Sequence, residues 1–173
     1  MNSLQKQHDT MVPVEPIAGL VVREASPADL PVLAELWSAF EAWLNAIADP
    51  EPVERKAFDR FEELAFGETP LCRVLLAELD GEAVGYLVYY MGVWMDDLAP
   101  CLHVADLFVE TARHGSGIGS AMMAEARKIG ISQGAGRMMW TVWRQNSTAE
   151  LFYRSLGAER FDEEVLMHLP LPR

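Results

Sequence analysis

A chain of 173 residues, 50% apolar and 23% charged, is long enough for one domain with a sizeable core and too short for two ordinary ones. Its net charge of −12, with no basic patch to neutralise phosphates, argues against nucleic acid as a partner, and no apolar run approaches the roughly 18 residues of a membrane span. Two cysteines, Cys72 and Cys101, lie far apart with no CxxC or Cys/His cluster, which argues against a disulfide framework or a metal site and for a reducing, cytoplasmic setting.

Residues 1–18 have no continuous apolar core and include His8, Asp9 and Glu15, so they read as a flexible leader rather than a signal peptide, with one domain over 19–173. A short strand at 20–26 precedes a helix opened by Ser26 as N-cap, Pro27 at the first helical position and Asp29 three residues after the cap. Leu30, Leu33, Trp37, Phe40 and Leu44 continue it at helical spacing. Pro50 and Pro52 break the pattern, and a second helical stretch over 53–66 stops at Gly67 and Pro70. Strand-rich runs at 72–79 and 82–94 flank Asp80-Gly81, a strong hairpin signal. A strand at 101–110 feeds a glycine loop. The following helix sets Ile118, Met122, Ala126 and Ile129 on one face. A strand at 137–143 and a helix at 147–157 come next, the helix with a capping box from Ser147 to Glu150, an apolar face of Ala149, Phe152, Tyr153 and Leu156, and Gly157 past its end. A last strand at 163–169 closes an α/β domain with a mixed sheet.

Charge divides unevenly. Residues 1–99 hold 18 Asp and Glu against 6 Lys and Arg, a net of −12, whereas residues 100–173 hold 8 of each. An acidic front half is either a solvated face or a field that gathers a cationic ligand.

In the loop, Gly115, Gly117 and Gly119 occupy alternate positions at the start of a helix. They serve either a turn that needs positive φ or a close backbone approach by an anion. Neither the phosphate-loop pattern, which needs a Gly-Lys-Ser/Thr, nor GxGxxG is present.

About thirty residues on stands a second constellation: Asn146, Ala149, Tyr153 and Gly157, spaced as Asn-x-x-Ala-x-x-x-Tyr-x-x-x-Gly. Together with Leu107-Phe108-Val109 and His114-Gly115-Ser116-Gly117-Ile118-Gly119, it resembles the GCN5-related N-acetyltransferase (GNAT) superfamily, and most closely the diamine (spermidine/spermine-type) branch. The resemblance implies a mixed, mostly antiparallel sheet of about six or seven strands flanked by about four helices, with splayed central strands. It implies that acetyl-CoA lies in that splay, bound by Leu107, Phe108, Val109, His114, Gly115, Ser116, Gly117, Ile118, Gly119, Ser120, Asn146 and Tyr153. A backbone N–H near Phe108 or Val109 would polarise the thioester carbonyl, and Tyr153 would be the general acid for the departing thiolate. A homodimer is implied as well. His114 stands where the family has Gln or Arg; Arg113, one place earlier, is the other candidate for the missing cation.

The branch carries a Glu-Asp pair where this chain has Ala105-Asp106. Asp106 is therefore the leading candidate for substrate contact and proton removal, with His103 as another candidate base. Glu41 and Asp97 are further candidates for binding a cationic acceptor. The resemblance implies an acetyl-CoA-dependent N-acetyltransferase for a small, cationic, di- or polyamine-like primary amine. An amino-acid-like or peptide α-amine, or a catalytically silent acyl-CoA-binding module, stands as the alternative.

Overall fold

The computed structural model describes residues 15–47, 58–162 and 164–171. Two compact units hold them, Val14–Thr141 and, later in the chain, Val142–Arg173. The first contains strands β1 (Leu20–Glu24), β2 (Arg73–Leu79), β3 (Glu82–Trp94), β4 (Ala99–Val109) and β5 (Arg137–Met139), and helices α1 (Leu30–Ile47), α2 (Phe61–Phe66) and α3 (Ile118–Ser132). The strands form one sheet in sequence order. Neighbours are antiparallel except β4 and β5, which run parallel.

The β2–β3 hairpin turns through Asp80 and Gly81 at φ 53° and 86°, the two positive values that match the twist of a tight hairpin. Beyond it, alternation assigns the faces. Val74, Leu76, Tyr86, Val88 and Phe108 cluster with Leu33, Leu36, Phe40 and Leu44 of α1. Residues of opposite parity, among them Leu75, Leu87, Tyr89 and Leu102, are buried too. They lie on the side of α3, whose Gly130 is against Leu102 and whose Ile118, Met122, Met123 and Ala126 turn inward.

An ionic clamp fixes the start of α1. Arg23 of β1 donates to Asp29 at 2.9 and 2.7 Å and to Glu78 of β2 at 3.1 and 2.7 Å. Asp29 also accepts from the N–H and Oγ–H of Ser26, at 2.8 and 2.9 Å. The Arg23 guanidinium holds the Asp29 carboxyl well below the usual carboxylate range, with the Ser26 bonds adding to the effect. A depressed folded value means that the stabilisation is complete above the unfolded value of about 3.9 and is lost as pH falls through the folded value. Asp29→Asn is expected to cost about 1–2 kcal/mol at neutral pH. In urea melts the gap to wild type should close as pH drops below about 4.

The later chain departs from expectation. The strand expected over 137–143 ends at Met139, and among the described residues the sheet has five strands rather than six or seven. Among the described residues β5 has β4 alone as neighbour, paired over Cys101, Leu102 and His103, and a strand persists only while a ladder satisfies its backbone. For the same reason the expected strand at 163–169 is not one: residues 164–171 pair with no strand among the described residues. Val165, Leu166, Met167, Leu169 and Leu171 there are 77–83% exposed. The helix in the second unit, α4 (Ser147–Ser155), is capped by Asn146 rather than Ser147, through Ala149 N–H to Asn146 Oδ1 at 3.0 Å. Gly157 follows its end at φ 87°, the left-handed position expected of it. Residues 1–14 of the expected leader and residues 48–57, with the first part of the second expected helix, lie outside the described residues. No helix among the described residues is long and apolar enough to cross a membrane.

Candidate active site

A short 3-10 turn, Thr111–Arg113, links β4 to the glycine loop. Gly115 and Gly117 have φ of 79° and 87°. A Cβ at Gly115 would meet nothing within 4 Å, and one at Gly117 only Ile17 Cδ1 at 3.3 Å. Conformation rather than space therefore demands these two glycines. Gly119 differs. It lies in the first turn of α3 without positive φ, so turn geometry does not account for it. Ser116 tightens the loop, its N–H and Oγ–H donating to Arg113 O at 3.2 and 2.6 Å.

The first helical bond of α3 runs from Ala121 N–H to Gly117 O at 3.0 Å. The amides of Ile118, Gly119 and Ser120 thus have no acceptor one turn back, and they sit at the positive end of a 15-residue helix. Such an end suits a pyrophosphate. The His114 side chain turns back toward the sheet, where its Nε2 lies 2.8 Å from Val109 O. Because a carbonyl only accepts, Nε2 carries the proton, and the ring straps the loop to the end of β4. Its edge meets Trp43 of α1, with centroids 6.4 Å apart.

β4 carries the chemistry. Val88 pairs with Asp106 and Tyr89 with Val104, which leaves Ala105 as a bulge. Tyr90 pairs with His103, and Val88 and Tyr90, two apart, share a face. Cross-strand partners share a face too, so the bulge brings Asp106 and His103, three residues apart, to the same side. Bulges re-aim side chains in this way. The Asp106 carboxylate accepts Tyr86 O–H at 3.1 Å on Oδ2 and Leu107 N–H at 3.1 Å on Oδ1. Glu110 N–H donates to Val84 O at 2.9 Å. N–H groups alternate along an antiparallel strand, so that of Phe108 points toward β3, while those of Leu107 and Val109 point to the edge where β5 has already ended. Leu107 is taken up by Asp106. Of the two expected oxyanion donors, Val109 therefore has the suitable direction.

Asp106 opens into a cleft of about 500 Å³ lined by Trp37, Phe61, Leu64, Leu71, Cys72, Val88, Tyr90 and Ala105, within the size range of small-molecule sites. Burial pushes the Cys72 thiol up, which keeps it protonated and unsuited to nucleophilic attack. The His103 ring stacks on Tyr90 at 4.8 Å and so stands beside the cleft. Asp97 does not join Asp106: it forms an ion pair with Arg137, whose guanidinium lies 4.6 Å from the centre of the Trp94 ring. Seven residues of β4 separate that end of the sheet from Asp106, roughly 23 Å of strand. Glu41 is half-buried on α1, one turn beyond Trp37, and is not among the described lining residues. In the second unit, Tyr153 is half-buried on α4 with its ring 5.0 Å from that of Phe152. Tyr86, the phenol on Asp106, escaped the sequence reading, as did the aromatic walls Phe61 and Tyr90. The alternation Tyr86, Val88, Tyr90 was the available signal, but it becomes meaningful only once Asp106 is known to lie opposite.

The acetyltransferase (GNAT) family model matches residues 33–158, well over half of the chain. The chain belongs to the GNAT acetyltransferase family. Thialysine N-epsilon-acetyltransferase of Bos taurus is 26% identical over 165 residues, covering 88% of this chain and 91% of that protein. Spermidine/spermine N(1)-acetyltransferase-like protein 1 of Homo sapiens is 27% identical over 86% of this chain and 22% of its own length. Among solved structures, an aminoglycoside acetyltransferase from an uncultured soil metagenomic sample, in complex with sisomicin, superposes with a TM-score of 0.71 at 20% identity, covering 89% of this chain and 97% of that one. At that identity the likeness is one of fold. GNAT acetyltransferases use acetyl-CoA, and the first-turn amides of α3, which have no acceptor within the helix, suit such a ligand's pyrophosphate.

Proposed function

We propose that this chain transfers an acetyl group from acetyl-CoA to the primary amine of a small acceptor that arrives as an ammonium ion. The observation that carries the reading lies along β4, where a cleft-facing carboxylate, Asp106, is followed within three residues by an outward-pointing amide, Val109, and then by the open amides of α3. The amides of Ile118, Gly119 and Ser120 hold the pyrophosphate. Bound acetyl-CoA supplies an activated acetyl thioester. Val109 N–H donates to the carbonyl oxygen as charge develops there. Asp106 holds the ammonium and accepts its proton, since only the neutral amine has a lone pair with which to attack. Tyr153, in the Asn146-Ala149-Tyr153-Gly157 register of the family, donates a proton to the sulfur. One N–C bond forms and one C–S bond breaks; nitrogen loses two protons on going from ammonium to amide, one matched by the proton the sulfur gains and the other passed by way of Asp106 to solvent. Names given to relatives, thialysine and spermidine/spermine acetyltransferases, favour an amine on a flexible alkyl chain.

A thiol-release assay with acetyl-CoA and a panel of alkylamines, diamines, amino acids and aminoglycosides tests the reading. Amine-dependent thiol release is the expected result; acetyl-CoA binding without release from any amine overturns it. The loop has its own test in Gly119→Ala. Alanine is the better helix former, so the apoprotein should gain about 0.5 kcal/mol. Acetyl-CoA should bind at least about tenfold more weakly, and its thermal shift should shrink accordingly. Gly115→Ala and Gly117→Ala instead lower apoprotein stability, because their φ values strain any side chain.

A further inference from the structure

We infer that His114 is a positioning residue for acetyl transfer, holding the end of β4 so that the Val109 amide stays aimed at the thioester, and is not the cation that pairs with the pyrophosphate. The inference rests on the acetyl-transfer reading and deepens it. Val109 pairs with Gly85, and the next residue, Glu110, bonds back to Val84 O through its N–H at 2.9 Å. The N–H and C=O of one residue point the same way in an antiparallel ladder. Val109 therefore turns both its donor and its acceptor to the far edge of β4. Among the described residues β5 covers that edge only at Cys101, Leu102 and His103. His114 Nε2–H takes up the acceptor at 2.8 Å. The Val109–Glu110 peptide is thus gripped on both sides, its oxygen by His114 and its N–H by Val84 O. With that peptide held, the end of β4 does not swing, and the Val109 N–H keeps its direction. A bare carbonyl oxygen beside that N–H would also repel the negative charge growing on the thioester oxygen; one that already accepts a bond repels it less. The ring is placed from its other side by Trp43 of α1, edge on with centroids 6.4 Å apart. Turned to the sheet in this way, His114 gives its Nε2 proton to the protein rather than to a phosphate.

His114→Gln and His114→Asn separate reach from charge. Both introduce a neutral amide. The glutamine side-chain N–H lies as many bonds from Cα as the ring Nε2 and can reach Val109 O, whereas that of asparagine stops one bond short. The readouts are the single-turnover rate at saturating acetyl-CoA, with the amine of the panel above that releases most thiol, and the acetyl-CoA concentration at half saturation. His114→Asn is expected to lower the single-turnover rate about tenfold, less than outright loss of an oxyanion donor, and His114→Gln to recover most of that loss. A half-saturation concentration that rises alike in both variants, with the single-turnover rate unchanged, marks a pyrophosphate cation and overturns the inference. Equal loss of rate in both variants, or no change in either, overturns it too. Each of these results leaves acetyl transfer standing. Acetyl-CoA binding with no thiol release from any amine overturns the acetyl-transfer reading, and the inference falls with it. Thermal melting of each apoprotein checks folding; should His114→Asn fail to fold, His114→Ala, which removes the same donor, takes its place.

Discussion

Tyr153→Phe is expected to lower the turnover number by about 10²-fold, within the range of a positioned general acid. The affinity for acetyl-CoA should change by less than about twofold, because binding and proton donation draw on different groups. The substitution removes one hydroxyl and little volume. The ring can keep its tilted contact with Phe152 at 5.0 Å, and α4 keeps its Asn146 cap and its Glu150–Arg154 ion pair at 2.9 Å. Folding is therefore not the expected casualty. A phenol with an ordinary value near 10 is a weak acid, but it has only to meet a sulfur that is gaining negative charge. Rapid-quench measurement of the first turnover decides whether chemistry limits the rate. If it does and turnover is unchanged, Tyr153 is a packing residue and the proton reaches sulfur another way.

How much of this was legible beforehand depends on whether the governing interaction is local. The Asp80-Gly81 turn, the 82–94 strand and the Ser26-Pro27-Asp29 start of the first helix rest on residues within a few positions of one another, and all appear in the structure. Asn146 and Ser147 are adjacent and both good caps, so the local sequence leaves the choice between them open; the side-chain bond that decides for Asn146 is seen only in the structure. The strands at 137–143 and 163–169 failed for a different reason. Their residues suit a strand, but a strand also needs a partner distant in sequence, and β4 supplies β5 with only three positions. Asp106 was singled out through a motif register. Its surroundings were not, since Tyr86, Tyr90, Phe61 and Trp37 converge on it from three elements through the sheet register and the Ala105 bulge. The three loop glycines looked alike in sequence, and the structure separates two that serve the turn from one that does not.

Asp106→Asn is expected to lower kcat/KM for a cationic amine by about 10²-fold or more, since it removes both the charge that holds the ammonium and the oxygen that accepts its proton. The size of the amide matches the carboxylate, and its oxygen can still accept Leu107 N–H or Tyr86 O–H, now at 3.1 Å each. A stable protein that still binds acetyl-CoA is thus the expected background. How the loss divides between the constants identifies the role: a rise in KM alone marks a binding carboxylate, and a fall in kcat with an altered pH profile marks a proton acceptor. Tyr86→Phe separates position from charge. The carboxylate stays, but it loses a donor that favours its charged form, so the acid limb of kcat/KM should move to higher pH and the rate above that limb should fall less than in Asp106→Asn. A purely structural tyrosine would change stability without moving the limb. Raising the salt concentration supplies the control for the acidic front half, whose diffuse attraction is screened over about 8 Å at physiological ionic strength. The wild-type rate should fall modestly with salt, and the Asp106→Asn deficit should persist, because a carboxylate in contact with the ammonium is screened far less than a distant field. Turnover unaffected by Asp106→Asn would remove Asp106 from the reaction and turn attention to His103, stacked on Tyr90 beside the same cleft.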